Sequence, residues 1–260
     1  MENRIDQLFK KKTKNIISIY YPAGFPELDN TIKVAESLES RGVDMVEIGI
    51  PFSDPMADGV VIQKASSRAL DNGISLKRIF EQLTELRSSV NIAVVLMGYL
   101  NPIMRFGFEE FCKECVRTGV DGVIIPDLPF ADYIKNYKPI SDKYGVKMIM
   151  LITPETSAER IELIDKNSSG FIYMVSTAAT TGAQKSYGAE SVDYFKRVAA
   201  MNLQNPRLIG FGISNYATYS AATEHSNGAI IGSHYVKLLE SEESIDLASD
   251  KLMEIFVENS

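Results

Sequence analysis

The sequence predicts an α/β protein, a closed (β/α)8 TIM barrel in a single domain over residues 1–260, and three observations predict it. Short apolar, β-branched runs recur eight times along the whole chain. Each is followed by an amphipathic segment of helical period and then by a glycine or a charged turn. No Pro/Ser-rich linker or compositional break divides the chain, and its 260 residues suit a barrel that takes about 250.

The strands are expected at Ile16–Tyr21, Met45–Gly49, Ile92–Met97, Gly122–Ile125, Lys147–Ile152, Phe171–Ser176, Leu208–Phe211 and Ala229–Gly232. Several, such as Ile92-Ala93-Val94-Val95-Leu96-Met97, are apolar without alternation, which suits parallel strands covered on both faces. Helical spacing of three and four marks Thr31–Arg41, Ile74–Ser88, Phe108–Thr118, Ala131–Tyr144, Ala158–Asn167, Val192–Met201, Tyr216–Glu224 and Ile245–Val257. Gly42, Gly119 and Gly145 stand where a left-handed residue ends a helix before the next strand. Periodicity alone leaves an open eight-stranded sheet as the alternative.

A net charge of −7 and no long basic stripe argue against a nucleic-acid partner, although backbone N–H groups still bind a small anion locally. Met1–Lys14 is charged and lacks the apolar core of a signal peptide, and no stretch is long enough to span a bilayer, so a cytoplasmic location is expected. Cys112 and Cys115 form a C-x-x-C pair inside a helical stretch without histidines nearby. Two covered helix thiols are expected there, not a zinc or redox centre.

In a barrel the chemistry gathers at the C-terminal strand ends. The run Val46-Glu47-Ile48-Gly49-Ile50-Pro51-Phe52-Ser53-Asp54-Pro55-Met56-Ala57-Asp58-Gly59 places a glutamate inside an apolar strand and an acidic, proline-stiffened loop after it. A carboxylate there is either a raised-pKa acid or a strand carboxylate bonded to its neighbour. Asp54 and Asp58 read by themselves as turn formers, with Asp58 exposed to water until something closes over it. The loop Ser176–Ser186 is long and rich in small residues, as a lid would be. Gly210-Phe211-Gly212-Ile213-Ser214 and Ile230-Ile231-Gly232-Ser233-His234 form a phosphate cradle or else tight turns with a serine cap. His234 is expected either solvated on its short helix or against the phosphate, and His225 at the surface. No lysine falls at a strand C-terminus, since Lys147 opens its strand, and two dispersed histidines do not make a metal site.

The segment Val46–Gly59 closely resembles the signature of the tryptophan synthase α-subunit family, roughly L-E-L-G-I-P-F-S-D-P-x-A-D-G. Leu96–Pro102, Pro126–Pro129, Tyr173–Ser176, Gly210–Ser214 and Gly232-Ser233 agree in order along the chain, so the resemblance covers essentially all of it. It implies cleavage of indole-3-glycerol phosphate to indole and glyceraldehyde 3-phosphate, with Glu47 as general acid/base and Asp58 facing the indole N–H. It implies an indole pocket of Tyr20, Tyr99, Tyr173 and Phe211, and a meeting of loop and phosphate at Thr181, Gly182, Gly212, Gly232 and Ser233. It implies no cofactor or metal on this chain, and an α2β2 heterotetramer with a β subunit that carries pyridoxal phosphate and receives the indole. The family's lid usually reads S-R-x-G-V-T-G. Here Thr177 replaces the arginine and Ala179 a glycine, so a non-catalytic subunit that only binds and activates the β subunit stays as the alternative.

Overall fold

A computed structural model describes residues 2–176 and 186–258. Eight parallel strands close into a barrel in sequence order. They are β1 (Ile16–Pro22), β2 (Met45–Gly49), β3 (Ala93–Met97), β4 (Gly122–Ile124), β5 (Lys147–Ile152), β6 (Ile172–Val175), β7 (Arg207–Gly210) and β8 (Gly228–Ile231). The open sheet is excluded because β1 pairs with β8 from Ile16↔Gly228 to Ile19↔Ile231.

Strand period two divides the side chains between two cores. Ile17, Ile19, Val46, Ile48, Val94 and Leu96 point outward under the helices. Ile16, Met45, Val95, Ile124, Ile149, Tyr173, Leu208 and Ile230 fill the barrel interior. Because residues 45 and 49 share the inward face with residue 47, Glu47 projects into the barrel by strand geometry alone.

All eight strands occur within one or two residues of their expected ends. The helices differ more. Arg4–Lys11, Val60–Asp71 and Leu100–Phe106 are helices not expected from the sequence, and the helix after β8 runs to Ser241. The first closes the lower mouth, with Ile5 fully buried in the inner core and Asn3 capping its first turn. Its charges mask an Ile5, Leu8, Phe9 stripe. Ile74–Ser88 is interrupted by a tighter turn at Leu83–Glu85. Ala131–Tyr144 begins at Phe130 and widens into a π turn over Tyr133–Tyr137. Pro139, which has no N–H to give its preceding turn, follows that widening. Gly119 and Gly145 end their helices with φ of 76° and 69°, as expected. Cys112 and Cys115 are buried, and burial raises both thiols. Among the described residues no helix is long and apolar enough to cross a membrane, and no cluster of three potential metal ligands occurs.

Candidate active site

A cavity opens at the C-terminal mouth of the barrel. Of the residues singled out in the sequence, Tyr20, Asp58, Tyr173, Phe211, Gly212, Gly232 and Ser233 line it. Gly59, Ile62, Met97, Ile213, Ser214, Ile230, His234 and Lys237 complete the wall, and of these Ile62 and Lys237 lie outside every segment singled out in the sequence. Thr181 and Gly182, with Thr177 and Ala179, lie outside the described residues.

Glu47 does not reach the cavity wall. It is fully buried, in register with Tyr20 on β1 and Val95 on β3. Its Oε1 accepts the Ser18 hydroxyl at 2.8 Å, while Oε2 has no partner. Burial raises the carboxyl to about 8, against the smaller opposing effect of Ser18. Glu47 is therefore a neutral acid near pH 7. Both readings of this residue contain part of the answer, since it is bonded to the next strand and is also strongly perturbed. Ser18 was missed, although a lone serine at an inward position of an apolar strand was its signal.

Asp58 is not the water-exposed turn residue expected. It is partly covered, and its Oδ2 accepts the Tyr99 hydroxyl at 3.0 Å. Burial raises it to about 6, with the Tyr99 bond pulling the other way. Tyr99 also accepts the Ala57 N–H at 2.9 Å, and the Gln63 amide donates to the Asp58 carbonyl at 2.9 Å. These bonds hold the loop over the mouth, so Tyr99 acts as a brace beneath Asp58 and not as part of the cavity wall. Asp54 is exposed and takes only the neighbouring Ser53 hydroxyl, as a turn former does.

Two tyrosines complete the apolar part of the pocket by the same device. A Cβ at Gly49, where β2 ends, would lie 2.2 Å from Tyr20 Oη, and one at Gly210, where β7 ends, would lie 2.2 Å from Tyr173 Oη. Each ring passes over the glycine that ends the next strand. Tyr173 meets Phe211 edge to face at 6.2 Å, and the aromatic faces suit an indole-sized ring.

On the same cavity wall, the chain after β7 turns through two left-handed residues, Phe211 at φ 74° and Gly212 at φ 77°. That conformation is strained for phenylalanine. The Phe211 carbonyl is fixed by the hydroxyls of Ser176 and Tyr187, each at 2.8 Å. The helix Ser233–Ser241 starts from Gly232 without a side-chain cap, whereas Asn215 and Thr218 cap the preceding helix reciprocally. The first N–H groups and the positive helix end are left for an anion beside Gly212 and Ser233.

The histidine expectations need correction. His234 is half-buried on the cavity wall, and burial, with Lys237 adding to it, lowers its pKa. His225 is mostly covered, its side chain 16% exposed. Lys147 faces the lower mouth and pairs with Asp6 at 2.8 Å, as its position opening β5 predicts.

The sequence model of the family described as Tryptophan synthase alpha chain matches residues 5–259. Proteins of that name from Parabacteroides distasonis and Bacteroides thetaiotaomicron are 61% and 60% identical to this chain, over 97% and 96% of it and 98% of each of theirs. The crystal structure of tryptophan synthase subunit alpha from Legionella pneumophila superposes with a TM-score of 0.87 at 32% identity, covering 98% of this chain and 97% of that one.

Proposed function

Because this chain belongs to the tryptophan synthase alpha chain family, whose reaction is the retro-aldol cleavage of indole-3-glycerol phosphate, we propose that Glu47 and Asp58 carry that reaction here. One observation carries the reading. Two carboxyl groups have raised pKa values, Asp58 on the cavity wall and Glu47 buried on β2 behind it, and the same cavity holds an aromatic pocket and the start of a helix without a side-chain cap.

The chemistry follows from the protonation states. Cleaving the bond between indole C3 and the glycerol chain needs an electron sink, and the ring becomes one once C3 is protonated. Glu47, protonated below pH 8, supplies that proton once its side chain turns from Ser18 into the cavity. Asp58, ionised above pH 6, stabilises the positive charge that develops at the indole nitrogen. Carboxylate Glu47 then takes the proton of the hydroxyl on the carbon attached to C3. That carbon becomes the aldehyde, the C–C bond breaks and its electrons return to the ring as indole. Tyr20, Tyr173 and Phe211 hold the ring, Tyr99 holds Asp58, and Gly212, Gly232 and Ser233 hold the phosphate. Thr181 and Gly182 join them in this reading from the loop after β6.

The family implies a β-subunit partner. An α2β2 assembly in the cytoplasm, with pyridoxal phosphate on the β subunit and no cofactor on this chain, completes the proposal. The test is indole release from indole-3-glycerol phosphate by the purified chain, with and without a β subunit. Release in both, faster in the complex, is expected. No release under either condition, with tryptophan synthesis from added indole and serine still enhanced, would leave a partner-only subunit.

A further inference from the structure

His234 and Lys237 have no role in the mechanism above, yet both line the cavity. They stand three residues apart in the first turns of Ser233–Ser241, on one face of that helix. Neither makes a hydrogen bond or an ion pair with another described residue. His234 is half-buried and Lys237 exposed, so a ring donor sits inside the wall and a free ammonium at its rim.

Their surroundings make this placement informative. Gly212, Gly232 and Ser233 offer backbone dipoles and a hydroxyl, which carry no full charge. The other titratable groups on the wall are Tyr20 and Tyr173, neutral phenols, and Asp58, an acid. With a net charge of −7 on the chain, a phosphate dianion meets no cation in this cavity other than Lys237 among the described residues. The cavity thus carries one cationic and one acidic side chain, Lys237 and Asp58, on different elements.

We propose that His234 and Lys237 are substrate-binding residues that extend the backbone cradle, His234 through an imidazole N–H and Lys237 through its ammonium, both to the phosphate of the substrate. This rests on the phosphate site assigned above. The pair does more than add affinity, because it fixes which end of the substrate goes where. The phosphate is drawn toward the helix after β8 and kept from Asp58, which leaves the indole nitrogen beside that carboxylate.

Titration calorimetry on the full chain tests this, with sn-glycerol 3-phosphate and indole as separate probes. Lys237→Gln should weaken glycerol phosphate binding about tenfold, the scale of one charge-assisted contact, and flatten its salt dependence. His234→Ala should weaken it several-fold, with His234→Asn, which keeps an N–H, recovering part of the loss. Lys237→Arg should bind as the parent does. Indole affinity should not change in any of them. Binding of glycerol phosphate within twofold of the parent in both Lys237→Gln and His234→Ala overturns the inference, as does an equal loss of indole binding. Gly212→Asp separates the two levels of the argument. If it abolishes glycerol phosphate binding while those two variants bind normally, only this inference fails. If it too binds normally, the phosphate site itself is elsewhere.

Discussion

Asp121, just below β4, and Glu47, inside β2, are both buried carboxyl groups, 4% and 0% exposed. Asp121 accepts from Arg87 Nη2 at 2.7 Å, from the Val94 N–H at 2.9 Å and from Arg4 Nη1 at 3.3 Å. Two guanidinium groups compensate its charge, and the pairing ties the N-terminal helix to the barrel floor. Glu47 receives one hydroxyl and no cation. The lower mouth therefore uses an acid as a structural anion, and the upper mouth keeps one neutral, with a proton to give. Burial is common to both, so what differs is the company of the carboxyl group.

Four measurements would break or sharpen that contrast. The largest effect is expected from Glu47→Gln, which keeps shape and bonding to Ser18 but removes the titrating proton. Indole release should fall by about four orders of magnitude. The variant mixed with a β subunit should still enhance tryptophan synthesis from added indole and serine. Retained cleavage would make Glu47 a strand carboxylate like Asp121.

Asp58→Asn should lower kcat by about two to four orders of magnitude with little change in melting temperature. Activity within a few-fold of the parent would return Asp58 to the status of a loop residue braced by Tyr99. The opposite pattern is expected of Asp121→Ala. Leaving Arg87 without its partner should cost about 3–5 kcal/mol in denaturant unfolding while the folded fraction keeps its kcat. A specific loss of kcat instead would erase the distinction between the two mouths.

The smallest and most discriminating effect is in pH. The kcat/KM profile should be a bell, rising as Asp58 ionises near 6 and falling as Glu47 loses its proton near 8. Stability should move as well. Between 4.5 and about 8 the folded state holds a proton on Glu47 that the unfolded chain has released. The folded state is thus progressively disfavoured as pH rises through that window, by at most about 1.4 kcal/mol per pH unit from this group. Glu47→Gln should remove that slope. An identical slope in parent and variant would show that Glu47 titrates normally.

Much of this was legible in the chain because strands and strand ends leave a periodic trace. The eight runs placed the barrel, and the inward position of Glu47 follows from counting by two along Met45–Gly49. The glycines at 212 and 232 likewise fell at the expected strand ends. What escaped was what depends on a partner far along the chain. Tyr99 reads as a pocket residue until its bond to Asp58 is seen, and Asp58 reads as exposed for the same reason. The helix Arg4–Lys11 escaped because its lysines and acids obscure the few apolar residues that plug the barrel. Lys237 resembles any helix lysine until the cavity is closed around it.

The strained carbonyl of Phe211 has one more consequence, for how the chain tolerates insertion and deletion. Ser176 and Tyr187 stand at the two flanks of the loop after β6, and both hydroxyls converge on that single oxygen. Like a bridge whose two abutments share one foundation, the loop has a fixed footing whatever spans it. Added residues between those two anchors should cost little, since the closure entropy of a loop grows only slowly with its length. Thr177 and Ala179 lie between those two anchors in the sequence.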